Sequence, residues 1–443
     1  HRSGHSFPTR RSSDLKLTLN RYSNLYDLKK RNYKNKYDYV EEFIDIFNEA
    51  VNCRLRTFKN VGAHLSGGLD SGAVVSVAQG LLNKKKENLH TFSYIPPNDF
   101  KDFSQSKFRI ANEKPFIEST INHIPNLKES FLHFENDCPY NQIDDFLDIM
   151  ESPYKFFENS IWLKGIYEQA AKKGIGVLLN GGRGNLSISW GPALEYYGLL
   201  LKKFNWRKLN KELTFYSRNM QVQKSEVMPY VLKFAFPYIK SPIKSEQPLS
   251  LIDPNFAEKT GVYDKLEGYK LHYNASKLPN IFEERRKHFG ELYHWNATNT
   301  LSTKLSLRYG LWKRDPTNDL RVVKFCLSVP DEECVENGLD RALIRKALKG
   351  KLPDDIRLNQ LYKGVQGVDW VHRMRKSWPA FINELENMKK SGVIFKYLNK
   401  EIVEVSINKI REGPIAQKAI DPYYRIAVRS LIINRFISRI EGR

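Results

Sequence analysis

The stretch Val61–Gly72, VGAHLSGGLDSG, determines the fold that we expect for this chain. It opens with a short apolar run, Val61–Leu65, which predicts a buried strand. The glycines of SGGLDS, Ser66–Ser71, then predict a tight turn, and the apolar residues up to Leu82 recur with a helical period. A strand, a turn and a helix in direct succession place free backbone N–H groups and the positive end of a helix dipole at the turn. This is an arrangement that binds phosphate.

Each residue type of the turn fits that chemistry. Gly67 and Gly68 let the backbone approach an anion without a Cβ in the way, and Ser66 and Ser71 can add hydroxyl donors. Asp70 would repel phosphate, so we predict that it is a ligand for the Mg²⁺ that accompanies the phosphates. The turn differs from a Walker loop, which requires a Lys directly after its last glycine.

The surrounding pattern predicts an α/β fold, a parallel sheet covered by helices on both faces, because strands and helices alternate. Helices are expected at 37–52, 71–82, 113–123 and 161–172, and further strands at 89–94 and 175–179. Beyond about residue 195 helical periodicity dominates and no strand is expected. We therefore predict a nucleotide-binding domain over 16–195 and a helical part over 196–443 that completes the active site. Asp421 and Pro422 have the residue types of an N-cap and first position for a final helix.

The first 15 residues call for a different interpretation. His5–Leu15, HSFPTRRSSDL, is the translation of a common short-read sequencing adapter. We therefore exclude residues 1–15 from the reasoning about the fold. We also expect the natural protein to extend further on the N-terminal side.

Composition narrows the class of protein. Hydrophobic residues make up 41% of the chain, which is enough for a packed core. No apolar run approaches the roughly 18 residues of a membrane span. Four cysteines without a CxxC pair fit neither a zinc site nor a disulfide framework, and favour the cytoplasm. The formal charge of +21 falls to +19 without residues 1–15, but its basic residues are scattered, which favours a solvated surface over nucleic-acid binding.

The motifs together carry a family resemblance. SGGLDS resembles the pyrophosphate loop of the ATP pyrophosphatase superfamily, in which ATP is cleaved between its α and β phosphates. VGAHLSGGLDSG, LHTFSY, GIGVLLNGGRGN and NGLDRALIRKALKGKLPDDIR follow one another as in the synthetase domain of asparagine synthetase B-type enzymes, over roughly 37–375. The resemblance implies an adenine nucleotide α-hydrolase-like fold and the use of ATP and Mg²⁺. It also implies that Leu65 and Tyr94 flank the adenine and that Asn180 and Gly181 close over the nucleotide. Tyr94 is equally well interpreted as a core aromatic residue.

The chain departs from the family pattern in three places. Asn185 stands where the family has an acidic metal ligand and offers only a carbonyl oxygen, while Arg183 could meet pyrophosphate with its guanidinium group. Leu361 stands where the family has a catalytic lysine, and Lys363 is the nearest replacement, although a surface lysine is an equally good interpretation. The glutaminase domain of the family is missing, so a domain lost by truncation is one explanation.

Two further segments are left open by their residues. Arg314–Arg321, RDPTNDLR, stands where the family has a substrate-side segment, and a structural or substrate-binding role is favoured over direct chemistry. Arg341 and Arg345 lie four residues apart on one predicted helical face, where they either pair with Asp340 and Glu336 or face the active site.

The resemblance implies an ATP-dependent carbon–nitrogen ligase that adenylates a carboxylate and transfers the acyl group to an amine. Two substrates remain open: aspartate with ammonia, or a peptide that is closed onto its own N-terminus, as in the lasso-peptide macrolactam synthetases of the same family. A tRNA-modifying ATP pyrophosphatase would explain the basic charge, and a degenerate, non-catalytic module would explain Asn185. The helical segment NGLDRALIRKAL argues against the first of these two, and the intact SGGLDS argues against the second.

Overall fold

The computed structural model describes residues 18, 20, 22–25, 28–103, 108–237, 249–269 and 280–442, with the backbone alone over 292–298. Residues 1–15, interpreted above as adapter sequence, lie outside this range. None of the helices in these ranges is both long enough and apolar enough to cross a membrane.

A five-stranded parallel sheet forms the centre of the molecule, in the order β4-β2-β1-β5-β6, and β3 and β7 form a separate parallel pair. The strands are β1 Asn60–His64, β2 His90–Tyr94, β3 Arg109–Ile110, β4 Phe131–Leu132, β5 Ile175–Leu179, β6 Trp312–Arg314 and β7 Lys363–Gly364.

Twenty α-helices surround the sheet in the described ranges. They are α1 Lys36–Arg54, α2 Leu69–Asn83, α3 Lys114–His123, α4 Ile143–Met150, α5 Ser160–Lys172, α6 Ala193–Lys202, α7 Trp206–Met220, α8 Lys224–Ala235, α9 Pro254–Thr260, α10 Val262–Gly268, α11 Ile281–Gly290, α12 Leu292–Tyr309, α13 Leu320–Ser328, α14 Asp331–Cys334, α15 Ala342–Ala347, α16 Asp354–Arg357, α17 Trp370–Arg373, α18 Trp378–Ser391, α19 Lys400–Ile410 and α20 Pro422–Ile440.

The two faces of the sheet are covered by different helices. On one face, Val61 and Val177 join a core that contains residues of α1, α2, α13 and α15. On the other face, Phe92 and Leu178 pack against α5 and α12. The strands β1 and β5 therefore lie between the two cores, as expected for a parallel sheet that is buried on both faces.

Two helical regions pack beside this layer. The helices α6, α7 and α8 share a core, and α17 to α20 share another with α4. Asp421 caps α20 by accepting a hydrogen bond from the Tyr423 amide, with Pro422 at the first helical position. The N-cap predicted at Asp421 is confirmed.

The predicted parallel sheet with helices on both faces is confirmed, and the predicted strands and helices before residue 195 occur with shifts of one or two residues at their ends. The expectation that no strand follows residue 195 is wrong at β6 and β7. The strand β6 has only three residues, two of them charged, and it lies at the edge of the sheet. A strand so short has too few residues to show an alternating apolar pattern. The proposed division at residue 195 stays a prediction, although β6 joins the sheet from beyond it.

Candidate active site

The loop Ser66–Ser71 leads from the carboxyl end of β1 into the first turn of α2, as its pattern predicts. The Leu65 amide still pairs with the Phe92 carbonyl of β2 (3.1 Å), so the loop begins directly after the sheet. The hydroxyl oxygens of Ser66 and Ser71 lie 2.9 Å apart, and the Ser66 amide donates to the Ser71 hydroxyl (3.1 Å). Both serines thus close the loop on itself. Their predicted role as phosphate donors stays a prediction.

The two glycines of the loop have different surroundings. A Cβ at Gly67 would lie 2.8 Å from the Cβ of Phe116 and 3.2 Å from Oε1 of Glu113, so packing against α3 excludes a side chain there. Gly68 is the N-cap of α2 with an extended backbone (φ −99°) and no side-chain cap. A Cβ at Gly68 would meet only the Ser66 hydroxyl, at 3.6 Å. The N-terminus of α2 therefore has open space beside it, as an anion site requires.

A second glycine loop, Asn180–Asn185, follows β5 and packs directly on Asp70. A Cβ at Gly181 would lie 2.9 Å from the Asp70 carbonyl, and a Cβ at Gly184 would overlap the Asp70 carboxyl group. Glycine at these two positions is what allows the loops to touch. The structure therefore brings together the two motifs that the sequence placed 110 residues apart in the chain, counting from Asp70 to Asn180.

One oxygen atom of the Asp70 carboxylate is available to bind a cation. Burial raises its pKa to about 6. Its Oδ1 atom is buried and accepts no hydrogen bond from the described residues. Because a buried polar atom is normally satisfied, an unmatched carboxylate oxygen at this position fits a cation ligand. The neighbouring Ser189 hydroxyl and the Arg341 charge lower the Asp70 pKa and so oppose the effect of burial, whereas the Asp315 charge adds to it.

The second loop is held by the segment that follows β6. The Asn180 amide donates to the Arg314 carbonyl (3.1 Å), and the Arg183 amide donates to Oδ2 of Asp315 (3.0 Å). Burial raises the pKa of Asp315, whose carboxylate also accepts the Thr317 hydroxyl (2.6 Å). Asp315 thus fixes the backbone of the loop that contacts Asp70. The sequence pointed to this segment without singling out Asp315.

The two side chains of the second loop that have predicted roles, those of Arg183 and Asn185, differ in their surroundings. Arg183 is buried, and its guanidinium group contacts the His288 ring. Asn185 is exposed on the rim of a cavity. Within the described ranges no group of three His, Cys, Asp or Glu residues could hold a metal ion. The Mg²⁺ role predicted for Asp70 is thus supported by its unmatched Oδ1 atom alone, and the role predicted for Asn185 stays a prediction.

Tyr94, expected beside the adenine, has its side chain committed elsewhere. Its hydroxyl donates to the Asp369 carboxylate (2.6 Å) and accepts from Arg373 (3.2 Å). Its ring stacks near Trp162 and Phe134, with centroid distances of 6.2 and 6.5 Å. These contacts favour the interpretation of Tyr94 as a core residue that joins β2 to α17.

The segment Asn359–Leu361, where the family has its lysine, has a structural role. The Gln360 side chain is buried, accepts from the Asp340 amide (2.7 Å) and donates to the Gly338 carbonyl (3.2 Å). Arg345 is also buried and donates to the Asp340 carboxylate (2.6 Å) and to the Asn359 carbonyl (3.0 Å). Arg345 is therefore structural, whereas Arg341 lies 3.9 Å from the Asp340 carboxylate and its charge also lowers the pKa of Asp70.

Lys363 lies on β7, whose partner β3 pairs Arg109 with Lys363 and Ile110 with Gly364. Its side chain is exposed, and its charge lowers the pKa of Glu195, although burial raises that pKa overall. A Cβ at the adjacent Gly364 would overlap the Glu113 carboxyl group. Glu113 also contacts Gly67. This one residue therefore bridges the phosphate loop and the strand that carries Lys363. Glu113 could not be recognised from the sequence, since a single Glu before a helix ordinarily indicates only a helix start.

A cavity of about 1280 Å³ opens beside the second loop, over the edge strand β6. The cavity is lined by five Arg or Lys residues and by only one carboxylate, that of Asp315, so its electrostatic potential is positive. Leu307 and Trp312 add apolar surface and are 83% and 69% exposed. The five basic residues are Arg54, Arg56, Arg183, Lys313 and Arg314.

Comparison with known proteins gives one consistent family. The family model described as asparagine synthase matches residues 42–418. Asparagine synthetase (glutamine-hydrolyzing) 3 of Bacillus subtilis is 24% identical over 85% of this chain and 58% of its own length. A putative glutamine-hydrolyzing asparagine synthetase 2 of Methanocaldococcus jannaschii is 27% identical over 63% of this chain and 49% of its own length. The chain thus spans about half the length of these curated relatives.

Among solved structures, an NH3-dependent NAD synthetase from Campylobacter jejuni matches 48% of this chain and all of its own length, with 18% identity and a TM-score of 0.22. So low a TM-score carries no argument about the fold, which follows from the strands and helices described above.

Proposed function

Since the chain belongs to the asparagine synthase family, we propose that it activates a carboxylate with ATP and joins the acyl group to an amine. The observation that carries this proposal is the complete Ser66–Ser71 loop between β1 and α2, with the Asp70 carboxylate held against it by a second glycine loop. A degenerate, non-catalytic module would have no need of an open N-terminus at α2 and an unmatched carboxylate beside it.

In the proposed reaction a carboxylate oxygen attacks the α-phosphorus of ATP. The bond from this phosphorus to the bridging oxygen breaks, and pyrophosphate leaves with that oxygen. An amine nitrogen then attacks the acyl carbon, the bond to AMP breaks, and the nitrogen loses a proton. The backbone N–H groups of the first turn of α2 would receive the pyrophosphate, because this helix end is open, whereas the Gly67 amide is engaged by Glu113. Catalysis of this kind rests on positioning and charge stabilisation, not on a covalent enzyme intermediate.

Five further residues have roles in the proposal. Asp70 would hold Mg²⁺, which neutralises phosphate charge when it is bound. Arg183 and Lys363 are the proposed cations for the charge that develops on the phosphates and the carboxylate. Asn180 and Gly181 would close over the nucleotide from the end of β5.

The acyl donor would enter through the cavity beside the second loop. Its excess of basic residues suits a substrate with more than one carboxylate, and Arg183, which lines the cavity, precedes Gly184, which packs on Asp70. The substrate of the family's namesake reaction, aspartate, carries two carboxylates and fits that charge. Ammonia is the simplest acceptor, delivered free or by a glutaminase domain.

A macrolactam cyclase of the same family is the second candidate, and one observation favours it. At about 1280 Å³ the cavity is larger than the roughly 300–1,000 Å³ of pockets for drug-sized ligands. Two largely exposed apolar side chains, Leu307 and Trp312, lie on it. An acidic peptide would use both the size and the apolar rim, and its own N-terminal amine would gain from effective concentration.

The products of ATP turnover test the shared part of the two candidates. The expected products are AMP and pyrophosphate, and release of ADP and phosphate would contradict the proposal. Exchange of labelled pyrophosphate into ATP then separates the candidates. Exchange with aspartate, followed by asparagine formation from ammonia, supports the first, and exchange with acidic peptides alone supports the second. As a matched pair, Arg56→Ala on the cavity should weaken peptide-dependent exchange, whereas Lys203→Ala, exposed and outside it, should not.

A further inference from the structure

The buried carboxylate of Glu113 lies between two glycines from distant parts of the chain. Glu113 is 7% exposed and stands at the N-cap position of α3, but its side chain does not cap that helix. Its carboxylate instead accepts the Gly67 amide of the phosphate loop and the Gln366 side chain (3.1 Å). The same carboxyl group fills the space that a side chain at Gly364 would need.

This contact joins the phosphate loop to the strand that carries Lys363. The strand β7 is short and has two exposed residues, so few packing contacts of its own can fix it. It is held on one side by β3, through the Lys363 amide on the Phe108 carbonyl (2.8 Å) and the Val365 amide on the Ile110 carbonyl (2.8 Å). Glu113 also holds the β7 segment. Its carboxyl group packs against Gly364, the residue after Lys363, and accepts a hydrogen bond from the Gln366 side chain.

The chemical character of Glu113 is unusual for a structural residue. Burial raises its pKa, and within the described ranges no Lys or Arg nitrogen lies within ion-pair distance of its carboxylate. A buried carboxylate without a cation is costly, and an apolar residue would pack the same space without that cost. A carboxylate is nevertheless the group that can accept an amide from the loop and an amide from the β7 segment at the same time.

We propose that Glu113 is a positioning residue, which holds the strand with Lys363 at a fixed place relative to the phosphate loop. This inference rests on the proposed function, because it gives Lys363 a part in the chemical step. Glu113 itself has no contact with the reacting atoms in the proposal. Its effect on turnover is transmitted through the placement of the Lys363 ammonium group, which the hydrogen bond from the Gly67 amide to Glu113 fixes relative to the loop.

The test is a double-mutant cycle on ATP turnover to AMP, with Glu113→Ala, Lys363→Ala and the double variant. Glu113→Ala should lower kcat by about 10–100-fold with a much smaller change in the KM for ATP, as expected for lost transition-state positioning. In the Lys363→Ala background the same substitution should change kcat less than threefold, because its target is gone. Full additivity of the two effects would overturn the proposal.

Two variants guard against trivial outcomes. Glu113→Gln keeps the volume and an acceptor for the Gly67 amide, so it should fold like the wild type and recover most of the kcat that Glu113→Ala loses. A Glu113→Gln variant as impaired as Glu113→Ala would contradict a positioning role through that hydrogen bond. Glu118→Gln, on the same helix but half-exposed and paired with Lys114 (3.5 Å), is the control and should match the wild type.

The failures of the two proposals are distinguishable. If the wild type makes no AMP from ATP with any carboxylate, the proposed function fails. If the wild type makes AMP and Glu113→Ala leaves kcat unchanged, the proposed function stands and the positioning role is overturned.

Discussion

The two glycine loops at the carboxyl edge of the sheet are built in opposite ways. The loop Ser66–Ser71 is stabilised mostly from within, by the two serine hydroxyls and the turn into α2. The loop Asn180–Asn185 is stabilised from outside, by Arg314, Asp315 and Thr317, residues more than 120 positions further along the chain. The first loop is therefore a local structure, and the second depends on the correct assembly of the whole domain.

The two glycine loops also differ in the roles that we propose for them. The self-contained loop carries the family motif unchanged, and it offers backbone amides that suit any nucleotide. The dependent loop carries the departures at Arg183 and Asn185 and opens on the basic cavity. Under the proposed function, the nucleotide half of the site would depend mostly on local sequence, and the acyl-donor half on the segment after β6.

The largest expected effect comes from Asp70→Asn, because this residue lies where the two loops meet. Turnover of ATP should fall by about 10²–10³-fold or more, the loss typical of one removed electrostatic contact. Steady-state AMP formation at saturating Mg²⁺ measures it. A variant with wild-type turnover would remove Asp70 from the proposed chemistry.

The same substitution should increase stability at neutral pH. The folded-state pKa of Asp70 is raised to about 6, so ionisation of this carboxylate costs stability as the pH rises from the unfolded value through 6. In Mg²⁺-free buffer at pH 7, Asp70→Asn should therefore unfold at higher urea, by on the order of 1–3 kcal/mol, and the gain should vanish below about pH 4. An equal gain at both pH values would contradict this cause.

Much of this site could be predicted from sequence, and the reason lies in how each part is built. The Ser66–Ser71 loop has a local pattern, strand, glycine turn and helix, and all three elements occur where the pattern predicts them. Glu113 and Asp315 could not be ranked above other acidic residues, because their roles depend on partners brought close only by folding, Gly67 with Gly364 and Arg183 with Thr317. The edge strand β6 was missed for the related reason that three residues carry no periodicity.

A smaller effect on stability distinguishes a glycine that packing requires, Gly184, from a glycine with a proposed binding role, Gly68. Gly184→Ala places a Cβ on the Asp70 carboxyl group and should lower the free energy of unfolding by about 1–3 kcal/mol, the cost of overpacking. Gly68→Ala has ordinary backbone angles and an open position, so its stability should change by less than about 1 kcal/mol while ATP affinity falls. Urea unfolding and titration calorimetry with ATP measure the two effects. Loss of stability in Gly68→Ala would show that Gly68, like Gly67, depends on packing against the rest of the domain.

At neutral pH the smallest effect concerns His64, the last residue of β1. Burial, aided by the Lys313 charge, lowers its pKa to about 3, so the folded protein holds the neutral ring. The unfolded chain binds the proton near pH 6.5, so stability is lost as the pH falls below that value, by about 1.4 kcal/mol per pH unit. His64→Leu should remove this part of the pH dependence in urea unfolding. An unchanged slope would mean that His64 is not shielded from solvent in the folded state.

The central claim is that a carboxylate is adenylated at the Ser66–Ser71 loop, and an oxygen-labelling experiment tests it most directly. The acyl donor that supports pyrophosphate exchange is prepared with ¹⁸O in its carboxylate and turned over with ATP, Mg²⁺ and the amine. The account predicts that the phosphate of the released AMP gains one ¹⁸O atom, because that oxygen bridged the acyl carbon and the α-phosphorus. AMP without ¹⁸O, or ¹⁸O in inorganic phosphate released together with ADP, would contradict it.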